Sequence, residues 1–383
     1  MNGPKVFLYV QHLWGVGHVY RATRVARALA KNGMDVHLIW GGTEISGFDF
    51  TGLTLHRLPA VRSSDVSFKN LLHANGDEFM DADKASRRDH LLSLFYRIEP
   101  DILITEAFPF GRRQMLFELL PLLEAAHETP NKPIIVASIR DIMQEGRSEK
   151  RVAESTNLVE QYYDLILVHG DEKLVRIEQT LQGAQSFLDK VRYTGLVAPE
   201  RALTRADSEV SCDVLVSVGG GAFGQELTQT ALQAMAWSKE FPSNWLIVGG
   251  SELSPPDFQF LKDNCPKGMR IVKHLPNLVS VMKQAKVSVS HAGYNTVCDI
   301  LISGCKALLY PYIGDKETEQ LRRSRLLADK NLAAMIEPDE LTPQHLATSI
   351  DALSQRMLAT NSLDLAGAQN CANILSEFLK KNR

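Results

Sequence analysis

The chain has 383 residues, 44% hydrophobic and 23% charged, with a formal net charge of -3. At roughly 100 to 200 residues per domain, that length predicts two domains. The apolar share excludes a disordered chain, a collagen-like repeat and a small disulfide scaffold, and the slight acidic balance argues against a general nucleic-acid binder.

The N-terminus, MNGPKVFLYVQHLWGVGH, has one early lysine, and Gln11 and His12 interrupt its apolar run, so it does not read as a secretory signal. No stretch reaches the roughly 18 apolar residues of a membrane span. The five cysteines, Cys212, Cys265, Cys298, Cys305 and Cys371, form no CxxC pair and read as buried thiols of a reducing compartment. The expectation is a cytoplasmic protein, with a peripheral place at the inner membrane left open and no structural metal.

Strands and helices then alternate. Apolar runs at Lys5–Val10, Val36–Trp40, Asp101–Thr105, Pro133–Ser138 and Leu165–Val168 predict buried parallel strands, with amphipathic helices such as Val19–Asn32 and Gln114–His127 between them. The segment Ser63–Arg88 is irregular and rich in Asp, Asn and Lys, and reads as a loop or lid. A polar stretch, residues 196–212, predicts a linker between a domain over 1–195 and another over 213–383. The alternation restarts at Asp213–Val218, Trp245–Val248, Arg270–Lys273, Val287–Ser290 and Ala307–Tyr310. A last helix, roughly Leu363–Lys380, is free to pack back on the N-terminal domain. The fold class is α/β, two Rossmann-like domains facing each other across a cleft, and open sheets of that kind bind ligands at the carboxyl ends of their strands.

Three turns carry chemistry. Gly15-Val16-Gly17-His18 follows the first strand and opens a helix. A helix N-terminus lowers a histidine pKa, so His18 reads either as a neutral general base or as a hydrogen-bonded histidine at a turn. His12, His37 and His56 lack that context and read as structural. Gly219-Gly220-Gly221-Ala222-Phe223-Gly224 follows the strand DVLVSV and opens a helix, so its backbone N–H groups suit a phosphate. The run also satisfies GxGxxG, which keeps a nicotinamide dehydrogenase in view, but the acid expected about 20 residues on is missing, Glu252 coming late. The third turn, His291-Ala292-Gly293-Tyr294-Asn295-Thr296-Val297-Cys298-Asp299, puts His291, Asn295 and Thr296 around a helix start, where they suit a diphosphate. Asp299, one turn on, can accept from ribose hydroxyls, or is an exposed acid beside a helix cap.

The segment HAGYNTVCDILISGCKALLYP resembles the donor signature of UDP-sugar-dependent glycosyltransferases of the two-domain GT-B fold, family 28 type, which includes the N-acetylglucosaminyltransferase of peptidoglycan synthesis. Gly17-His18, the GGGAFG turn, His274–Asn277 and Glu319-Gln320 occur in the family's order. The resemblance implies that His274 and Leu275 meet the nucleobase through backbone atoms, and that Gly17 belongs to the donor site. It further implies that Gly220, Gly221 and Ala222, with His291, Gly293, Asn295 and Thr296, hold the diphosphate. Asp299 would hold the ribose, Glu319 and Gln320 would read the sugar, and His18 would be the base of an inverting transfer. No cofactor beyond the nucleotide-sugar co-substrate is implied, and no metal. Lys306 stands where the family has proline, and the stretch IGDKETE is longer than usual, which makes Asp315 a rival sugar reader.

On the acceptor side, Glu106 ends a predicted strand, and Arg112 and Arg140 follow strand ends. Glu106 can bond an acceptor hydroxyl or amine. Arg112 and Arg140, grouped with Arg87, Arg88 and Arg113, suit an anionic acceptor or surface ion pairs. Asp81-Ala82-Asp83 spells DxD but follows no strand and reads as a solvated loop. The alternatives to transfer are nucleotide-sugar hydrolysis or 2-epimerisation on the same scaffold, since GVGHVYR also resembles the N-terminal motif of such a hydrolase, and a non-catalytic nucleotide-sugar-binding protein.

Overall fold

Continuous Val, Ile and Leu runs become parallel strands here because helices cover both faces of each sheet. The computed structural model describes residues 3–13, 17–45, 48, 50–63, 70–143, 146–200, 210–219, 224–250, 253–275, 277–314 and 318–382. They fall into two units, one drawn from Met1–Met143, Arg147–Val197 and Ala366–Arg383, the other from Gln144–Gly146 and Ala198–Leu365.

The first unit runs β1 (Lys5–Val10), α1 (Gly17–Lys31), β2 (Asp35–Trp40), β3 (Thr54–Arg57), β4 (Val61–Ser63), β5 (Leu71–His73), α2 (Asp81–Ile98), β6 (Ile102–Glu106), α3 (Leu116–Glu128), β7 (Ile134–Arg140), α4 (Glu149–Tyr162), β8 (Leu165–His169) and β9 (Val191–Tyr193). Its seven-stranded sheet has the order β3-β2-β1-β6-β7-β8-β9, and every pairing is parallel. The strand order reverses between β1 and β6, so the turns leaving these two strands diverge and open a crevice at their carboxyl ends. Phe7, Tyr9, Leu103, Ile135 and Ile166 carry the core onto Leu91, Leu94 and Leu119 of the helices.

The second unit runs β10 (Val214–Ser217), α5 (Gln225–Ala234), β11 (Trp245–Val248), α6 (Pro255–Asp263), β12 (Met269–Val272), α7 (Leu278–Gln284), β13 (Val287–Ser290), α8 (Tyr294–Ser303), β14 (Ala307–Leu309), α9 (Glu319–Asp329), β15 (Ala334–Met335) and α10 (Pro343–Gln355). Its sheet, β12-β11-β10-β13-β14-β15, is also parallel and reverses between β10 and β13. Val214, Val216, Ile247, Val287 and Val289 pack there against Leu227, Leu346 and Ile350.

The last helix, α11 (Gly367–Asn382), belongs to the first unit and packs on α1. Cys371, Ala372, Leu375 and Leu379 form its buried stripe. Asn370 Nδ2 donates to the Thr194 carbonyl at 2.8 Å, and Asn32 Nδ2 to Ser376 Oγ at 2.9 Å. At Gly367 a Cβ would fall 2.4 Å from the Gly195 carbonyl oxygen, so only glycine admits this approach.

Every strand expected from the sequence is present, its ends displaced by at most two residues. The edge strands β3, β9 and β15 have 4, 3 and 2 residues, too few for an apolar run to mark them. The reading of Ser63–Arg88 as a loop or lid is corrected over its described part. Residues 71–73 pair with β4 as an antiparallel hairpin, and α2 starts at Asp81. The charged first turn of α2 hides it in the sequence, because its buried stripe begins only at Arg87. The DxD is that first turn and not a loop. Asp83 accepts from the Met80 N–H at 2.9 Å, and Asp81 pairs with Lys84 at 2.8 Å.

Candidate active site

The β1/β6 switch point brings together residues 88 positions apart. His18 lies in the first turn of α1, Arg21 one turn further on the same face, and Glu106 is the last residue of β6. His18 Nδ1 lies 2.8 Å from Glu106 Oε1, and Arg21 Nη2 donates to the same oxygen. A carboxylate only accepts, so Nδ1 carries the proton and Nε2 keeps its lone pair. Burial lowers the His18 pKa to about 4, with Arg112 and Arg21 adding to it and Glu106 opposing. Burial would raise Glu106, but His18 and Arg21 outweigh it and hold the carboxyl at about 2. A carboxylate and a neutral imidazole therefore coexist at neutral pH. The His18 side chain is 24% exposed and that of Glu106 1%.

A second buried network supports the first. The fully buried Arg87 guanidinium bonds Glu118 Oε2 at 2.7 Å and Gln11 Oε1 at 2.7 Å, and Tyr9 donates to Glu118. Arg112 Nε donates to the Gln11 carbonyl at 2.7 Å, so this network ends beside the histidine. Ala107 and Arg112, with φ of 65° and 58°, hold the intervening loop in the left-handed region. Beneath it, His169 Nδ1 meets Thr194 Oγ1 at 2.9 Å and Nε2 meets Ser138 Oγ at 2.8 Å, with burial lowering its pKa to about 3.

One part of the expected arginine group is corrected: Arg87 is fully buried on Glu118, neither a surface ion pair nor open to a sugar acceptor. Arg88 and Arg113 take the ion-pair alternative, Arg88 with Asp89 at 2.7 Å and Arg113 with Glu154 at 2.8 Å. Arg112 and Arg140 are half-buried. Burial, with Arg140 and Arg151, pushes the Arg147 guanidinium down to about 10, so positive charge does gather at this end of β7.

At the β10/β13 switch point the groups are smaller. Gly219, with φ of 72°, ends the β10 turn, and a Cβ built on it or on Gly293 would lie 3.9 Å from Thr296 Oγ1. Gly250 approaches so closely that a Cβ would fall 2.2 Å from the Gly219 carbonyl oxygen. The α8 N-terminus, Gly293 to Thr296, carries no side-chain cap. The helix dipole thus points the positive end of α8 at this turn. His291 donates Nδ1–H to the Tyr310 carbonyl at 2.7 Å, which leaves Nε2 as an acceptor. Asn295, Thr296 and Asp299 are half-buried on α8.

Glu319 and Gln320 bond protein groups. Gln320 Oε1 accepts from the N–H groups of Ala292 at 3.1 Å and Tyr312 at 3.2 Å. Glu319 accepts from the fully buried Arg323 at 2.6 Å, and Arg323 Nη1 donates to the Ala292 carbonyl at 2.9 Å. The first turns of α9 thus clamp both sides of Ala292, just before α8. His274 is exposed and Leu275 half-buried on the turn after β12. Gly15, Gly220, Gly221, Ala222, Glu252 and Asp315 lie outside the described residues. Sequence reasoning passed over Arg21 and Arg323, although His18/Arg21 and Glu319/Arg323 stand at the helical spacings that bring side chains together.

Part of the second unit matches a family model. The glycosyltransferase family 28 C-terminal domain matches residues 215–375. A UDP-N-acetylglucosamine–N-acetylmuramyl-(pentapeptide) pyrophosphoryl-undecaprenol N-acetylglucosamine transferase of Desulfitobacterium hafniense is 19% identical over 359 residues, 89% of this chain and 88% of that protein. The transferase of the same name from Thermotoga neapolitana is 23% identical over 177 residues, and the match spans only 46% of this chain and 49% of that protein. The crystal structure of Acinetobacter baumannii MurG superimposes with a TM-score of 0.61 at 15% identity, covering 99% of both chains.

Proposed function

We propose that the chain is a family 28 glycosyltransferase of the GT-B fold, moving a sugar from a UDP-sugar to an acceptor hydroxyl or amine with inversion, a reading supported by the family match over residues 215–375 and by the transferase relatives. The observation that carries the reading is the His18 Nδ1 contact with Glu106. It leaves Nε2 as a neutral base, the form that general-base catalysis needs at neutral pH. In the step, the acceptor oxygen or nitrogen bonds to the anomeric carbon while the bond to the diphosphate breaks. His18 Nε2 takes the acceptor proton, and the nucleoside diphosphate leaves with the bonding electron pair.

We assign the donor to the second unit. The α8 N-terminus, with Thr296 and Asn295, suits the diphosphate, whose charge grows as the bond breaks, and His291 braces the turn before it through the Tyr310 carbonyl. Gly220, Gly221 and Ala222 join them, Asp299 takes the ribose, and the backbone of His274 and Leu275 takes the base. Glu319 and Gln320 serve this site as struts of the Ala292 turn, with Gln320 Nε2 left for the sugar. The relatives' names give UDP-N-acetylglucosamine as their donor and a pyrophosphoryl-undecaprenol sugar as their acceptor. Arg112, Arg140 and Arg147 suit an anionic acceptor of that class. Among the described residues no helix is long and apolar enough to cross a membrane, so a lipid-linked acceptor would be met at the membrane surface.

The test is incubation with UDP-N-acetylglucosamine and other nucleotide-sugars, without and then with lipid-diphosphate acceptors, following nucleotide binding and release. Tight binding with release only when an acceptor is present is expected. Rapid release without acceptor would replace transfer by hydrolysis. A failure to bind any nucleotide-sugar would end the reading.

A further inference from the structure

Glu106 Oε1 is shared by two donors, His18 Nδ1 at 2.8 Å and Arg21 Nη2, and these two nitrogens lie 3.3 Å apart. Arg21 is 2% exposed and on the same helix as the histidine, so the cation is a fixed neighbour of the ring. We propose that Arg21 is a positioning residue. By holding Glu106 Oε1 in common with His18 it fixes the imidazole as the Nδ1–H tautomer and sets a second cation against a second proton on the ring. The inference rests on the reading of His18 as the base.

The geometry sets the sign. A histidine beside a carboxylate alone gains basicity and protonates at ordinary pH, which would silence it as a base. Here the carboxylate charge is divided between the ring and a guanidinium that never deprotonates. A second proton on the ring would stand beside that guanidinium in a buried setting. The charged and titratable groups facing the ring are Glu106 from β6, Arg21 from α1 and Arg112 from the loop after β6. Only Glu106 favours the imidazolium. With Nδ1 on Oε1, the ring turns Nε2 away from the carboxylate.

The experiment follows His18 itself by nitrogen-15 and proton–carbon-13 NMR in the full chain, alongside pH–rate profiles. In the wild type the expected signature is an Nδ1–H tautomer at pH 7 and a midpoint near 4. Arg21→Gln keeps a donor on Oε1 but removes the charge. Its midpoint should rise by about one pH unit, because burial and Arg112 still hold it down, and kcat at pH 5 should fall about twofold relative to pH 7.5, with KM for the nucleotide-sugar unchanged. Arg21→Lys should restore the low midpoint. An Nε2–H tautomer or a midpoint near 6.5 in the wild type would overturn the proposal without any variant, as would an unmoved midpoint in folded Arg21→Gln. If His18 titrates as expected but no sugar is transferred to any acceptor, the reading of function falls while the placement of Arg21 stands.

Discussion

At the β1/β6 switch point buried carboxylates are committed to fixed partners, Glu106 to the neutral His18 and to Arg21, Glu118 to Arg87. At the β10/β13 switch point the same topology presents backbone N–H groups, a threonine hydroxyl and an imidazole bonded to a carbonyl, with the charged Glu319–Arg323 pair one layer behind. The proposed function accounts for this contrast. A base works only if its protonation state is fixed before the reaction, and buried ion pairs fix it. In the proposed donor site, small residues and glycine would let a diphosphate approach the positive end of the helix closely.

The sharpest way to break this contrast is His18→Ala, expected to lower turnover about 10²- to 10⁴-fold while nucleotide-sugar affinity measured by calorimetry stays within twofold. Equal losses in rate and affinity would erase the division of labour between the two switch points.

Arg87→Met strands Glu118 in the core and should cost about 3–5 kcal/mol, because breaking a buried pair leaves an uncompensated charge. Hydrogen exchange resolved by peptide should show the loss in β1, α2 and α3 and little change in β10 or β13. A loss spread evenly over both units would mean that they do not fold as separate cores.

Acid should discriminate in the same direction. His12 and His18 are lowered by burial to about 4, and His169 to about 3, from 6.5. The unfolded chain therefore binds more protons below pH 6.5, so the stability present above that value is lost as pH falls toward 4. Glu106, held at about 2, adds a further loss below its ordinary 4.5. Lowering the pH from 7 to 5 should loosen the first unit by several degrees in a thermal scan, roughly 2–4 °C per kcal/mol, and exchange corrected for intrinsic pH effects should locate the change there.

The smallest effect belongs to the donor side. Thr296→Val removes one hydroxyl near the α8 N-terminus, so UDP affinity should weaken about 5- to 10-fold, the scale of one hydrogen bond, and kcat at saturating donor should fall as well, since the charge on the diphosphate grows in the transition state. An unaltered Kd would remove Thr296 from the proposed diphosphate site.

The sequence by itself determined the alternation and the two sheets, because buried parallel strands must be continuous apolar runs and Lys5–Val10 and Val287–Ser290 are such runs. It also marked His18 and the Gly293 turn, since a glycine and a polar residue between strand and helix are local signals. It concealed α2, whose first turn is charged, and it gave no hint that Arg87 is fully buried. Which carboxylate meets His18 depends on β6 lying beside β1, a contact across 88 positions that no local spacing encodes. Only the tertiary structure could decide that Glu106 orients a histidine, that Arg21 shares its oxygen and that Gln320 braces a turn. A charged side chain's role is set by the partner that replaces its water, and that partner is supplied by the fold.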